Sequence, residues 1–275
     1  MTVDQGYVLG SSDTELARLD LQAAYYRPAT LDAMRWAGIG PGMRVLDLGS
    51  GTGAVAFAAA EIVGPTGRVL GIDLQETPVA AATQNAAALG LDNVSFVRGD
   101  LNTWTDDRQF DAITGRLITM YLPDPGRTIG RLAAMLRPGG VVLLQEFSIS
   151  AARQHPETPL FRRTLDALLA AFRSAGVPTD FGLELDRVFA DAGLPSPTML
   201  VGGRWERGPD ARTYPQLAAI IRTLLPVIVA REIATEAEID IDSLERRLSA
   251  EAAVAESGSG ASLLVSAFAR PPDRP

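Results

Sequence analysis

Val45-Leu46-Asp47-Leu48-Gly49-Ser50-Gly51-Thr52-Gly53 reads as the end of a buried strand running into a helix. The run Arg44 to Leu48 is mostly apolar and is bounded upstream by Gly40-Pro41-Gly42, the pattern of a strand covered on both faces. From Ala54 to Val63 the residues are mostly small and apolar, and Gly64-Pro65 stops them, which predicts a helix. Glycines at alternate positions let the main chain turn sharply and bring a ligand against bare backbone. The helix that starts past Gly53 turns its positive end toward whatever lies there.

Outward from this stretch the same alternation repeats. A second strand is expected over residues 68–73, and Thr77-Pro78 opens a helix running to Leu89-Gly90, with Thr77 as N-cap and Pro78 at the first helical position. Strands are expected over 94–97, 110–114 and 141–147, with a helix over 124–136 closing at Arg137-Pro138-Gly139-Gly140. Strands alternating with helices predict a parallel sheet covered on both sides. Beyond Phe147 the rhythm loosens. Helices are expected over 157–175, 183–192, 214–230 and 243–255, a strand over 198–201, a turn at Gly258-Ser259-Gly260 and a last strand over 263–268. No internal repeat, heptad or long linker interrupts the chain. We therefore expect one domain over residues 1–275: a helical N-terminal segment (1–40), a ligand-binding core (41–150) and a remainder with helical insertions (151–275).

Composition narrows the chemistry. The 275 residues are 47% hydrophobic, enough for a sizeable core. All 25 basic residues are arginine, there is no cysteine, and His155 is the only histidine. Without lysine there is no Schiff base and no lysine-bearing phosphate loop. Without cysteine there is no disulfide, thiolate nucleophile or thiolate-held metal. A Ser-His-Asp triad would have to use His155, a two-histidine metal site is impossible, and no metal is expected. The net charge of −8 argues against a nucleic acid or anionic membrane partner. The longest apolar runs fall short of the roughly 20 residues a membrane helix needs. Met1 to Gly10 lacks the basic cluster and apolar run of a signal peptide, so a cytoplasmic location is expected.

Asp73 stands twenty residues after Gly53 at the end of the second strand, where a carboxylate would bind a ribose diol in a dinucleotide-type fold. Gly99-Asp100-Leu101 closes the third strand with an acid and an apolar residue. All these features fall at the carboxyl ends of successive strands, where open α/β sheets bind ligands. Gly49, Gly51 and Ala54 also satisfy the nicotinamide pattern G-x-G-x-x-A. Against that reading stands Asp47, an acid two residues before the first glycine, which suits a cationic amino group better than a pyrophosphate. The lysine of the Tyr-Lys pair used by short-chain dehydrogenases is also missing.

These residues resemble the class I S-adenosylmethionine-dependent methyltransferases, closely over 40–147 and in outline over the whole chain. The resemblance implies an α/β, Rossmann-like, doubly wound sheet of seven strands with the last antiparallel, a role that 263–268 suits. It implies S-adenosyl-L-methionine as cofactor and S-adenosyl-L-homocysteine as product. Gly49, Ser50 and Gly51 would let the backbone approach the cofactor, and Asp47 would hold its methionine amino group. Asp73 would bind the ribose hydroxyls, Leu74 would pack on adenine, and Asp100 and Leu101 would bind and flank the adenine. Arg116 matches the segment under the methionine part. The chain looks most like the ubiquinone- and menaquinone-type methyltransferases and their small-molecule relatives in bacterial secondary metabolism. In that group an N-terminal helical segment covers the cofactor; here it would be residues 7–26, with Tyr7, Gln22, Tyr25 and Tyr26 as contacts.

Methyl transfer from a sulfonium needs the nucleophile held in line with water excluded, and a base only if a proton must leave early. Met120 falls where plant-type O-methyltransferases carry a catalytic histidine, which speaks against histidine-dependent O-methylation from that position. His155 in the loop after the fifth strand and Glu146 at its end are the candidate catalytic groups, with Tyr121 and Arg116 as positioning groups. The segment Gly115-Arg116-Leu117-Ile118 lacks the pattern of base-directed amino methyltransferases, and base methylation through a cysteine is impossible. The expected reaction is methyl transfer to O, N or C of a small, largely apolar metabolite, with Phe161, Phe172, Phe181, Trp205, Ile220 and Ile221 as candidate pocket residues. A fold that keeps the cofactor while catalysing cyclisation or rearrangement is the alternative, ahead of a non-catalytic binding partner and an NAD-type oxidoreductase. The partner expected is the small-molecule substrate, with a homodimer or higher homo-oligomer left open.

Overall fold

The computed structural model describes residues 13–272, so Tyr7 lies outside the described residues. Strands are numbered along the chain: β1 (Arg44–Leu48), β2 (Arg68–Asp73), β3 (Val94–Arg98), β4 (Phe110–Arg116) and β5 (Leu136–Ser148), then β6 (Arg153–His155), β7 (Thr198–Gly202), β8 (Glu206–Arg207), β9 (Gly258–Gly260) and β10 (Leu263–Ala269). The chain divides into two compact units. Among the described residues, one comprises 27–146, 181–201 and 264–272, the other 13–26, 147–180 and 202–263.

The first, the sheet unit, is built on seven strands in the order β3-β2-β1-β4-β5-β10-β7, with the last strand of the chain antiparallel. Parallel pairing fixes the register: Asp47 of β1 lies opposite Gly71 of β2 on one side and Thr114 of β4 on the other. Val45, Leu46 and Leu48 have no solvent exposure, as expected for a strand buried on both faces. Two apolar layers form, one around Leu48, Ile72, Leu132 and Phe189, the other around Val45, Ala56, Ala59 and Met34. Small residues in the helix Ala54–Val63 let it approach the sheet closely, and six of its ten residues are buried.

The second, the helical unit, has a core of the helices Pro159–Ser174, Thr213–Ala230 and Ile241–Val254, with Phe161, Tyr214, Ile221, Leu224 and Leu248 at its centre. Thr158 caps the first of these. The helix Thr213–Ala230 has 18 residues and a mean hydropathy of 1.4, long and apolar enough by length and composition to cross a membrane. That corrects the expectation that every apolar stretch is too short. Seven of its residues are buried, among them Tyr214, Leu217 and Leu224 in the core just described.

Several local expectations are corrected. Gly258-Ser259-Gly260, expected as a turn, is β9, the central strand of a three-stranded antiparallel sheet with β6 and β8. A Cβ on Gly258 would lie 2.5 Å from Trp205 Nε1, so the glycines allow close approach within a strand. The helix expected from Thr77-Pro78 begins at Glu76 with extended Gln75 as N-cap; Pro78 still falls in the first turn, whose N–H groups lack intrahelical partners. Asp124 is the N-cap of Pro125–Ala133, accepting from Arg127 N. β5 starts at Leu136 rather than Val141, because Leu136 pairs with Phe110 before the ladder shifts to pair Val141 with Ala112.

Candidate functional site

At the carboxyl edge of the sheet unit the backbone leaves β1 through Gly49 and Gly51, whose φ angles are +61° and +51°. L side chains rarely adopt this region. At Gly49 a Cβ would also strike the Ile118 side chain at 2.5 Å. Ser50 N–H donates to Ile72 O at 2.8 Å, and the Ser50 Oγ is buried without a hydrogen-bond partner. Gly51 N–H donates to Asp73 Oδ2 at 2.9 Å, and Gln75 N–H donates to Asp73 Oδ1 at 3.0 Å. One carboxylate thereby ties the glycine turn to the start of the next helix.

Asp47 is 1% exposed. Its Oδ1 accepts from Thr114 Oγ1 at 3.2 Å, and its Oδ2 has no hydrogen-bond partner. Burial pushes the carboxyl up to about 7, against the opposing pull of the Thr114 hydroxyl and the Arg116 charge. The unpartnered Oδ2 can accept a further hydrogen bond.

Leu74, beside Asp73, is 56% exposed. Asp100 is exposed at the end of β3, and its Oδ1 accepts from the Asn102 backbone and side-chain amides at 2.9 and 2.8 Å. Leu101 is buried in the sheet-unit core. Arg116, half-buried at the end of β4, donates to Thr30 Oγ1 at 3.1 Å. Leu117, the next residue, has a φ of +57°, a region that a non-glycine residue seldom adopts.

Glu146 has no solvent exposure. Its Oε1 accepts from the backbone N–H groups of Ile118, Thr119 and Met120 at 3.1, 2.7 and 3.4 Å, capping the short 3₁₀ turn Thr119–Tyr121. Burial pushes its carboxyl up to about 7, and these N–H groups pull it back down. Its Oε2 lacks a hydrogen-bond partner.

The sheet unit thus holds Asp47, Gly49, Ser50, Gly51, Asp73, Leu74, Asp100, Leu101, Arg116 and Glu146. Gln22, Tyr25 and His155 belong to the helical unit. Gln22 lines a pocket there, and the Tyr25 ring packs edge-on to Tyr26 at 4.8 Å. His155 is exposed at the end of β6, paired with Gly258. Of the expected pocket residues, Phe161 and Ile220 line that pocket, whereas Phe172 and Ile221 are buried in the helical core and Trp205 is 57% exposed. Phe181 belongs to the sheet unit. Sequence reasoning missed Thr114, Thr30 and Gly71. A Cβ on Gly71 would lie 2.5 Å from Phe96 and 2.8 Å from Ser50 Cβ. A glycine inside an otherwise apolar strand was the available signal.

Over part of its length the chain is similar to known proteins. Residues 39–174 match the model of a methyltransferase domain family. Over 117 residues the chain is 38% identical to nocamycin O-methyltransferase of Saccharothrix syringae, the match covering 42% of each protein. Over 100 residues it is 40% identical to aklanonic acid methyltransferase DauC of Streptomyces sp. strain C5, covering 36% of this chain and 46% of that one. These matches span less than half the length of either relative. Among solved structures, the YcgJ protein of Bacillus subtilis has the same fold, with a TM-score of 0.56 and 20% identity over 88% of this chain and 98% of that one.

Proposed function

Through residues 39–174 the chain belongs to the class I S-adenosylmethionine-dependent methyltransferases, and from that premise we propose that it transfers a methyl group from S-adenosyl-L-methionine to oxygen, nitrogen or carbon of a small, largely apolar metabolite. One observation carries the reading: the buried, unpartnered Oδ2 of Asp47, two residues before a left-handed glycine turn. Burial disfavours that carboxylate even with the Arg116 charge acting on it, and an ammonium group at Oδ2 would give it a direct partner. The remaining residues fit the same ligand. Each Asp73 oxygen accepts one backbone N–H and keeps lone pairs for a ribose diol. Exposed Leu74 offers apolar surface to an adenine ring, and Asp100 stands at the next strand end.

When bound, the cofactor supplies a methyl group already activated on a sulfonium. The chain's task is to hold, orient and keep water out. Asp47 and Asp73 hold by charge-assisted hydrogen bonds, which are stronger than neutral ones. Arg116, braced by Thr30, positions the methionine part. Glu146 fixes the backbone of 118–120, so its primary part is positioning. A base role for Glu146 or for His155 is the finer proposal, with Gln22 and Tyr25 as further cofactor contacts. We read both units as parts of one functional domain acting on a small cytoplasmic metabolite; the net charge of −8 speaks against a nucleic-acid partner.

Incubation with methyl-labelled cofactor and an extract of candidate metabolites tests the reading. Labelled product is the expected result. A rearranged but unlabelled product, or no cofactor binding by calorimetry, overturns it.

A further inference from the structure

Asp100 is exposed beyond the end of β3, yet one of its oxygens is already committed. Its Oδ1 accepts from Asn102 twice, from the backbone N–H at 2.9 Å and from Nδ2 at 2.8 Å. Its Oδ2 accepts no hydrogen bond among the described residues and keeps its lone pairs.

The Asn102 amide is held from its other end, where Thr128 Oγ1 donates to Asn102 Oδ1 at 3.1 Å. An amide turned over would set its oxygen against the Asp100 carboxylate, so the two bonds enforce one orientation. Thr128 is 5% exposed and lies in the helix Pro125–Ala133. Thr83, Thr164 and Thr223 each donate to the carbonyl four residues back in their own helices. Thr128 instead directs its hydroxyl out of its helix, onto Asn102.

The same helix anchors the backbone beside Asp100. The Arg131 guanidinium donates to Leu101 O and Trp104 O. The N–H groups of Thr103 and Trp104 donate to Asp100 O at 3.0 and 2.7 Å. A Cβ on Gly99 would lie 2.8 Å from Trp104 Cδ1, so the loop is also seated on bare backbone. With the main chain fixed on both sides, the freedom left to Asp100 is rotation of its carboxyl group, which the Asn102 amide restrains.

We propose that Asn102 and Thr128 are positioning residues for base recognition: Thr128 sets the Asn102 amide, the amide sets the Asp100 carboxylate, and Oδ2 is left for the exocyclic amino group of a nucleoside base. The inference rests on the methyl-transfer reading, in which that base is the adenine of the cofactor. A carboxylate accepts from a 6-amino group and repels a 6-oxo group, so its orientation governs the choice between them. An acceptor fixed beforehand loses less freedom on binding than one that must be ordered at that moment.

The test is calorimetric titration of the full chain with S-adenosyl-L-homocysteine and with its 6-oxo analogue, S-inosyl-L-homocysteine. The readout is the ratio of the two affinities, which a general weakening of the fold leaves unchanged. Wild type is expected to favour the amino compound by about tenfold or more, the scale of one charge-assisted hydrogen bond, and Asp100→Ala to bring the ratio near one. Asn102→Ala and Thr128→Val are each expected to lower the ratio by about threefold, as for one neutral hydrogen bond, and Thr128→Ser to restore it. Asn102 is exposed, so Asn102→Ala decides even if Thr128→Val does not fold. The wild-type ratio kept in Asn102→Ala overturns the proposal; kept in Thr128→Val alone, it removes Thr128 from the relay. The two readings fail differently. No binding of S-adenosyl-L-homocysteine by wild type overturns methyl transfer and this relay with it. Binding without preference between the two bases overturns the relay and leaves methyl transfer standing.

Discussion

The two units build their sites by different means. In the sheet unit the polar groups are set by backbone pairing: Asp47 is fixed between Gly71 and Thr114 by register, and Glu146 is fixed by three N–H groups. In the helical unit the pocket is set by side-chain packing among segments that lie far apart in sequence, from Gln22 to Ser262. Hydrogen-bonded backbone tolerates little displacement, whereas an apolar wall of similar volume can repack. The sheet unit should therefore respond to loss of single polar atoms, and the helical unit mainly to changes of volume.

The sharpest break of that contrast is Glu146→Ala, which removes the acceptor of the buried Thr119 N–H and of the partly buried N–H groups of Ile118 and Met120. It should destabilise the fold by about 3 kcal/mol or more, while Glu146→Gln, which keeps an acceptor oxygen, should cost well under half of that. Urea denaturation with near-ultraviolet detection measures both. Equal losses would mean that the charge, not the cap, matters.

Next comes Asp73→Ala, expected to weaken S-adenosyl-L-homocysteine binding by roughly 1.5–3 kcal/mol, the range for a charged hydrogen bond. Calorimetry with unchanged affinity would remove Asp73 from the ribose. Because Asp73 also accepts from Gly51 and Gln75, part of the loss would come through the turn, so Gly51 backbone exchange should quicken in the same variant.

Titration distinguishes Asp47 from its neighbours. Its carboxyl is raised from 3.8 to about 7 in the fold, and that of Glu146 from 4.5 to about 7. Between those limits the folded chain holds more protons than the unfolded chain. Stability from these two groups is therefore complete at low pH and falls as pH rises toward 7. A ligand ammonium reverses the preference, because it needs the carboxylate. Binding of S-adenosyl-L-homocysteine should strengthen about tenfold between pH 6 and 8. Asp47→Asn should remove that rise and reduce the slope of stability against pH; a rise that persists would assign it elsewhere.

The smallest effect is expected at His155, exposed in the helical unit. His155→Gln should change stability by no more than about 0.5 kcal/mol, so its turnover reports chemistry rather than folding. A fall in kcat of about a hundredfold or more would make it the base; unchanged kcat would retire that role.

Much of the sheet unit was legible in the sequence. The helix Ala54–Val63 and the strands Arg44–Leu48 and Arg68–Asp73 fall where their patterns put them, because each is bounded by glycine or proline and buried on a consistent face. Boundaries slipped where tertiary pairing overruled local signals. Thr77 looked like a cap, yet Asp73 organises the entry through the Gln75 amide. Gly258 to Gly260 looked like a turn, yet Trp205 packed against a bare strand turns the glycines into a packing device. The sequence also offered His155 and Glu146 as equals in chemistry, while their surroundings differ completely, one exposed and one wholly buried.

The alternation of strands and helices up to Phe147, the glycine turn after Asp47 and the absence of lysine and cysteine were set by the sequence alone, since they depend on residue identity and short-range spacing. Which carboxylate oxygens lack partners, which glutamate caps a backbone turn and which threonine orients an asparagine amide were decided only in the folded chain. Those properties depend on groups tens to hundreds of residues away, and hydrogen bonding and desolvation act through distances in space, which spacing along the chain does not encode.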